Sequence, residues 1–168
     1  MPFERSSKTN LIGVFNTVRT ALPSLIDSKG YVLVVGSVSS YTAVPGMAAY
    51  GASKAGVDHF ATILRIELAH HHVDVGLANM SLIDTPMLRQ TQSFSTGFSA
   101  VLAALPGPLR RPVTADKCAA WLVNAIEHRQ RNVSVPRWVA AARWLKPALS
   151  TRMAERPLRR RFAQIEAK

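Results

Sequence analysis

The 168-residue chain is long enough for one domain with a hydrophobic core, because 48% of its residues are hydrophobic and only 18% are charged. Its one cysteine, Cys118, excludes an intrachain disulfide, and we expect a buried thiol there. No apolar run is long enough for a transmembrane helix, and the start, MPFERSSKTN, lacks the features of a signal peptide. We therefore expect a cytoplasmic protein.

The formal net charge of +11 is concentrated at the carboxyl end. Residues 129–168 contain eleven Lys or Arg and two acidic residues, whereas residues 1–128 contain ten basic and eight acidic ones. A nucleic-acid-binding domain usually carries its charge on a folded face together with a recognition motif, and the sequence offers neither. We therefore predict no nucleic-acid partner.

The first predicted elements are a helix over residues 8–28 and a strand over residues 31–36. The helix has apolar residues at steps of three and four, with Gly30 just beyond its end. These apolar residues are Leu11, Val14, Phe15, Val18 and Leu22. The strand, YVLVVG, is a run of β-forming residues, which indicates a buried position in a sheet.

A second long helix is predicted over residues 48–70, and Tyr50 and Lys54 lie one turn apart on it. A free tyrosine has a pKa of about 10, and an ammonium close by favours the phenolate. Ser37, which follows the strand and lies thirteen residues before Tyr50, is placed to hydrogen-bond a substrate oxygen. Together these side chains predict one proton-transfer site.

The remaining elements continue the alternation of strands and helices. Residues 73–79 predict a second strand, residues 115–128 a helix capped by Thr114, and residues 132–135 a third strand. The connection over residues 84–112 is long enough to be a lid or to contain helix of its own. This order predicts right-handed crossovers and an α/β fold, with a parallel sheet of about three strands between flanking helices.

Four motifs in this order resemble the short-chain dehydrogenase/reductase family. They are the Tyr-x-x-x-Lys signature at Tyr50-Gly-Ala-Ser-Lys54, the catalytic serine segment at Ser37, the helix that carries Asn10, and the nicotinamide-contacting segment Ile83-Asp-Thr85. The resemblance extends from about residue 9 to about residue 135. It implies the carboxyl-terminal part of a Rossmann-like, doubly wound parallel sheet, with residues 1–136 as a partial catalytic domain.

The resemblance also implies a role for each motif residue. Tyr50 is the general acid/base, Lys54 lowers its pKa, Ser37 orients the substrate oxygen, and Asn10 supports a water relay. The implied contacts with the cofactor, NAD or NADP, are made by Tyr50, Lys54, Ile83 and Thr85. The implied reaction is hydride transfer between nicotinamide and a carbonyl or alcohol carbon, and the apolar residues of the 84–112 connection suggest an apolar substrate.

The sequence departs from the family pattern at its amino end. The family begins with a strand and a glycine-rich turn that holds the cofactor pyrophosphate, whereas the nine residues before Asn10 contain no glycine. We expect weak NAD(P) binding and an open edge on the strand over residues 31–36. Either the start has been assigned too late, which we favour, or the chain is a degenerate remnant.

Two functions therefore stay open from the sequence. The first is an oxidoreductase of the short-chain dehydrogenase type. The second is a non-catalytic remnant that acts as an interaction or dimerisation module. The resemblance implies a homo-oligomer in either case, formed through the helices over residues 8–28 and 48–70.

The tail over residues 137–168 is basic and amphipathic. A helical projection places five apolar residues on one face, namely Trp138, Ala141, Ala142, Leu145 and Leu149. Such a helix either contacts an anionic membrane surface or docks on the protein with a solvated basic end. The run of three histidines at residues 70–72 predicts no metal site, because successive side chains of a helix point in different directions.

Overall fold

The fold is described by a computed structural model over residues 3–94, 98–99, 102–103 and 107–166. The described helices are α1 (Phe3–Ser7), α2 (Gly13–Asp27), α3 (Ala48–Glu67), α4 (Pro86–Phe94), α5 (Gly107–Arg110), α6 (Ala115–Glu127), α7 (Val139–Leu149) and α8 (Arg152–Glu166). The strands are β1 (Tyr31–Val35), β2 (Asp74–Met80), β3 (Ile83–Asp84), β4 (Val113–Thr114) and β5 (Asn132–Val135). A π-helical turn, Lys8–Ile12, joins α1 to α2, and 3-10 turns occupy Val38–Ser40 and Ala69–His71.

The main sheet is parallel and has the order β1-β2-β5, so the predicted α/β fold with three strands is confirmed. The Gly36 N–H donates to the Ala78 carbonyl, and the Asp74 N–H donates to the Gly30 carbonyl. The backbone N–H and C=O groups of every second residue of β1 therefore point to β2, and those of the residues between them point to the opposite edge of β1. Among the described strands, β1 pairs only with β2, and its second edge is open as expected.

Helices cover both faces of this sheet. On one face α2 and α3 bury a cluster that includes Val34, Val57, Leu64 and Leu77. On the other face α6 packs Cys118 and Ala125 against Ala78, Val133 and Val135. Neighbouring residues of β2 enter different clusters because side chains alternate along a strand. The thiol of Cys118 is buried as predicted, with its Sγ 3.4 Å from the Met80 Sδ.

The region after β2 differs from the sequence-based prediction in one respect, and it contains the helix that is one of the two alternatives for the 84–112 connection. Residues 83–84, for which the sequence predicts no strand, form β3 and pair in parallel with β4. The 84–112 connection contains α4 and α5, while residues 95–97, 100–101 and 104–106 of that connection lie outside the described part. A short β-bridge satisfies backbone groups that an open loop would leave to solvent.

The predicted apolar face of the tail is only partly buried. In α7 the buried residues are Val139 and Ala142, whereas Ala141 and Leu145 are exposed. The helix follows β5 almost directly, so the positions that face the sheet are fixed by where the strand ends and not by the bulkiest side chains. The Arg143 guanidinium secures α7 by donating to the Asn132 side-chain oxygen at 2.6 Å. None of the described helices is long and apolar enough to cross a bilayer.

Candidate active site

Ser37 lies at the carboxyl end of β1, where it caps the 3-10 turn Val38–Ser40. Its side-chain oxygen accepts hydrogen bonds from the Ser39 N–H at 3.2 Å and from the Ser39 hydroxyl at 2.9 Å. The residue is only 7% exposed. Because the oxygen acts as acceptor in both bonds, the hydroxyl proton remains available to a substrate oxygen.

Lys54 reaches from α3 to the end of β1. Its Nζ donates to the Val35 carbonyl oxygen at 3.0 Å. This carbonyl points to the open edge of β1, because the neighbouring Gly36 N–H points to β2. Burial lowers the pKa of the Lys54 ammonium below its ordinary value. The lysine therefore covers the open edge with a partly desolvated charge, as cations on edge strands commonly do.

Tyr50 lies in the first turn of α3 and is half-buried. The Lys54 Nζ is 6.0 Å from the centroid of its ring, as the one-turn spacing predicts. Its hydroxyl makes no hydrogen bond to any residue in the described part of the chain. The hydroxyl is therefore available for proton exchange with a ligand.

Asn10 lies in the π-helical turn before α2. This turn carries one extra residue, since the Gly13 N–H donates to the carbonyl of Lys8, five positions earlier. The Asn10 side-chain nitrogen donates to the Ser53 hydroxyl at 3.1 Å, and that hydroxyl donates to the Tyr50 carbonyl at 2.7 Å. A π-helical turn often marks a functional site because it displaces one residue from the regular helix.

Small residues on α3 allow these elements to approach. A Cβ atom at Gly56 would lie 3.1 Å from the Leu11 side chain, and one at Gly51 would lie 3.6 Å from the Ser39 carbonyl oxygen. The π-helical turn and the Ser37 turn therefore both contact the first turns of α3. The structure brings the regions of Asn10, Ser37, Tyr50 and Lys54 together at one end of the sheet.

Ile83 and Thr85 have different surroundings. Ile83 packs against the buried cluster under α6. The Thr85 hydroxyl accepts a hydrogen bond from the Leu88 N–H at 3.3 Å and so caps the start of α4. The described contacts of both side chains lie beyond the end of β2, and none of them reaches Tyr50 or Lys54. Their role in cofactor binding stays a prediction.

A buried polar network beside Ser37 is absent from the sequence-based prediction. The Tyr41 hydroxyl donates to the Asp58 carboxylate at 2.6 Å, and the Asn79 side-chain nitrogen donates to the Tyr41 hydroxyl and to the same carboxylate. Burial, and after it the Asp58 hydrogen bond and charge, raises the pKa of Tyr41 well above its ordinary value. A Cβ atom on Gly36 would lie 2.2 Å from the Asn79 oxygen, which explains the glycine at the end of β1.

The described residues contain no group of three His, Cys, Asp or Glu that could hold a metal ion. The rings of His70 and His71 lie 3.8 Å apart, so these two side chains do not diverge as the sequence suggests. Both residues lie in the 3-10 turn Ala69–His71.

A sequence model described as short chain dehydrogenase matches residues 1–95, which is more than half of the chain. The chain belongs to the short-chain dehydrogenase family. The matched region contains all six predicted site residues, Asn10, Ser37, Tyr50, Lys54, Ile83 and Thr85. The match covers these positions and does not test the role of any of them.

Curated relatives and solved structures agree with this membership. An uncharacterised oxidoreductase of Mycobacterium tuberculosis is 28% identical over 157 residues, which cover 92% of this chain and 42% of the relative. The 11-beta-hydroxysteroid dehydrogenase-like 4A of Arabidopsis thaliana is 30% identical over 156 residues, 90% of this chain and 48% of the relative. The chain thus spans about half the length of the curated relatives it matches.

The fold is shared with short-chain dehydrogenases of known structure. A short-chain dehydrogenase from Burkholderia cenocepacia in complex with NADP has a TM-score of 0.70 at 23% identity, with 94% of this chain and 59% of that chain covered. The RhlG/NADP complex of Pseudomonas aeruginosa has a TM-score of 0.64 at 23% identity, with coverages of 79% and 56%. Both likenesses establish the Rossmann-like fold of this short-chain dehydrogenase.

Proposed function

We propose that the protein transfers a hydride between a nicotinamide cofactor, NAD or NADP, and the carbonyl or alcohol carbon of an apolar substrate. The observation that carries the proposal is the convergence of Ser37, Tyr50 and Lys54 at the carboxyl end of β1, with Asn10 tied to the same helix through Ser53. The NADP complexes among the structural neighbours and the family membership support the cofactor class.

Each residue has a defined part in this reaction. When bound, the nicotinamide supplies or accepts the hydride. In the reducing direction Ser37 donates its free hydroxyl proton in a hydrogen bond to the carbonyl oxygen, and Tyr50 transfers its phenolic proton to that oxygen as it becomes an alcohol. The Lys54 ammonium beside the ring stabilises the charge that remains on Tyr50. Asn10 holds the first turns of α3 in position through the Ser53 hydroxyl.

The residues present fit the nicotinamide end of the cofactor. The Tyr50 hydroxyl is free among the described residues, and the Lys54 ammonium is partly desolvated beside it. The same lysine is also engaged by the Val35 carbonyl on the open edge of β1, so a cofactor must compete for that donor. We therefore propose weak cofactor binding by the 168-residue chain.

An apolar substrate is supported by two observations. The side chain of Met87 on α4, just beyond Thr85, is 68% exposed although it is apolar. The relative from Arabidopsis thaliana is named for hydroxysteroid dehydrogenases, and a steroid alcohol is an apolar substrate. A panel of apolar ketones is therefore the appropriate first choice for an activity assay.

The experiment is deuteride transfer from a cofactor labelled at C4, at millimolar concentration, to apolar ketones, with the alcohol detected by mass spectrometry. The Tyr50→Phe variant should lose at least about a hundredfold in rate, the usual contribution of a general acid. Tyr31→Phe is the matched control, because it removes a phenolic hydroxyl bonded to Gln130 outside the site. Equal rates in Tyr50→Phe and wild type would contradict the proposal, and no labelled alcohol from wild type would favour the non-catalytic remnant.

We also propose a homodimer through the outer faces of α2 and α3. Phe15 on α2 and Ile63 on α3 are exposed, as is Ile12 at the end of the π-helical turn before α2. Phe15 packs edge-on against Phe60 at 5.9 Å, which joins the two helices into one apolar surface. Light scattering should give the mass of a dimer for the wild type and that of a monomer for Phe15→Glu/Ile63→Glu. A wild-type monomer at high micromolar concentration would contradict this interface.

For the tail we propose contact with an anionic membrane surface. Trp144 and Met153 are 83% and 81% exposed on the basic helices α7 and α8. The chain should sediment with phosphatidylserine vesicles and not with neutral ones, and Trp144→Ser/Met153→Ser should weaken this binding. Val123→Ser/Ile126→Ser on α6 is the matched control, since both residues are exposed outside the tail. Equal sedimentation of both double variants would contradict a specific role of the tail.

A further inference from the structure

A cavity of about 670 Å³ lies at the amino ends of β1 and β2. It is therefore at the opposite end of the sheet from Ser37, roughly 17 Å away along the five residues of β1. Five of its nine lining residues are basic, namely Lys29, Arg65, His72, Arg129 and Arg131. The lining also includes one acidic residue, Asp74.

Two of the guanidinium groups are held in place by the sheet. Arg65 donates from Nε to the Val75 carbonyl at 2.8 Å and from a terminal nitrogen to the Arg131 carbonyl at 3.2 Å. Arg129 donates from one nitrogen to the Lys29 carbonyl at 2.9 Å and to the Asp74 carboxylate at 3.1 Å. Each of these arginines keeps further N–H donors, and the backbone fixes their positions before any ligand binds.

The other three basic residues that line the cavity have no partner among the described residues. The side chains of Lys29, His72 and Arg131 make no hydrogen bond or ion pair with any described residue. Burial, followed by the charges of Arg131 and Arg143, lowers the pKa of the Arg65 guanidinium. The cavity thus holds like charges at close range without enough acidic groups to balance them.

Three residues that line the cavity have a left-handed backbone conformation. The described residues other than glycine with positive φ are Lys29, His72 and Arg129, with φ values of 47°, 57° and 46°, and all three line the cavity. Each follows a helix that leads into a strand, a position at which glycine has the lowest conformational cost. The N–H groups of Gly30, Val73 and Gln130 each donate to a carbonyl five residues earlier, so these are three helix ends of the Schellman type that meet at the cavity.

Cations at helix ends also have a simpler explanation, because the carbonyl end of a helix carries a partial negative charge of about half a unit. Three helix ends would offset about one and a half positive charges. Four Lys or Arg against Asp74 leave three formal charges, so about half of the excess remains unbalanced. Arg131, which directly precedes β5, is not explained by a helix end.

We propose that this cavity binds the phosphate group of a small phosphomonoester. Planar guanidinium groups recognise phosphate oxygens in pairs, and the remaining excess of about one and a half positive charges is close to the charge of about −1.5 to −2 that a phosphomonoester carries at pH 7. The cavity is larger than a free phosphate ion requires and lies within the volume range of small-molecule sites. Its position at the opposite end of the sheet from Ser37 separates this ligand from the proposed nicotinamide site.

The test is calorimetric titration of the protein with glycerol 3-phosphate and with inorganic phosphate, with ionic strength held constant by sodium chloride. Saturable binding of the ester at one site is expected, and tighter binding of the ester than of the free ion would show that the organic part contributes. Equal affinities would show that the phosphate group alone is recognised, which retains the site. No saturable binding of either compound would overturn the proposal.

Charge-matched variants separate a built site from general attraction. Lys29→Gln/Arg131→Gln removes two free donors and should weaken binding about tenfold, because bonds between ionised groups are the strong ones. Arg152→Gln/Arg156→Gln removes the same charge from the exposed face of α8 and should change the affinity less than about twofold, since exposed charges are screened. Equal weakening in both variants would overturn the proposal. A melting temperature of Lys29→Gln/Arg131→Gln close to that of the wild type excludes misfolding as the cause of weaker binding.

Discussion

Ser53 occupies a spacer position of the Tyr-x-x-x-Lys signature, yet it joins two elements of the site. Its hydroxyl accepts from the Asn10 side chain at 3.1 Å and donates to the Tyr50 carbonyl at 2.7 Å, and the residue is 2% exposed. Ser53→Ala removes both bonds. At about 0.5–1.5 kcal/mol for each bond, we expect a loss of about 1–3 kcal/mol in the free energy of unfolding. For a chain of this size that corresponds to a melting temperature lower by roughly 2–12 °C.

The assay is urea unfolding of wild type, Ser53→Ala, Asn10→Ala and the double variant. A coupling energy of about 0.5–1.5 kcal/mol between Asn10 and Ser53 is expected, because residues that share a hydrogen bond are not additive. Thr62→Ala is the matched control, since it removes only an intrahelical bond from the Thr62 hydroxyl to the Asp58 carbonyl on the same helix. A coupling energy of zero, or a Thr62→Ala effect as large as that of Ser53→Ala, would refute the connection through Ser53.

Three further predictions concern the same end of the sheet. Gly36→Ala should lower the free energy of unfolding, measured in urea, by about 1–3 kcal/mol, because its Cβ would lie 2.2 Å from the Asn79 oxygen. Gly51→Ala is the control and should be neutral or stabilising, because its Cβ would lie 3.6 Å from the Ser39 carbonyl oxygen. Above a pH of about 10 the free energy of unfolding of the wild type should fall relative to that of Tyr41→Phe. The reason is that the raised pKa of Tyr41 keeps this residue protonated in the folded protein, whereas the tyrosine of the unfolded chain ionises. Parallel pH profiles of the two proteins would contradict this. Tyr50→Phe should unfold at the wild-type urea concentration, since its hydroxyl has no partner in the described residues, and a shift of more than about 1 kcal/mol would show a structural role.

Local periodicity explains what the sequence predicts correctly. Tyr50 and Lys54 share a helix face because of their spacing, and this holds in any helix that contains them. The strand over residues 31–36 and the helix over residues 48–70 follow in the same way from runs of β-forming and helix-spaced apolar residues. Alternation of such elements leaves few topologies, so the parallel three-stranded sheet is also predictable.

The contacts that complete the site depend on residues far apart in the chain. Tyr41, Asp58 and Asn79 form their network from a turn, a helix and a strand, and no spacing in the sequence marks them as partners. The basic cavity combines residues from 29 to 131 in the same way. The only sequence signal is the glycine at position 36, whose lack of a side chain leaves room for Asn79.

The exposed edge of β1 links the fold to the proposed activity. Lys54 donates to the Val35 carbonyl at this edge, so the residue proposed to contact the nicotinamide end of the cofactor is also a stabilising contact of the strand. The relatives are about twice as long as this chain, and the contacts proposed here involve only the nicotinamide end of the cofactor. The adenosine part should therefore add little to the affinity of the 168-residue chain.

A fluorescence titration of the 168-residue chain with NADPH and with reduced nicotinamide mononucleotide tests this claim most directly. The two compounds share the nicotinamide and its ribose, and only NADPH carries the adenosine part. We expect millimolar dissociation constants that differ by less than about 1 kcal/mol, and weaker binding of both compounds to Lys54→Met. A micromolar dissociation constant for NADPH, at least about tenfold below that of the mononucleotide, would contradict the proposed division of the cofactor site.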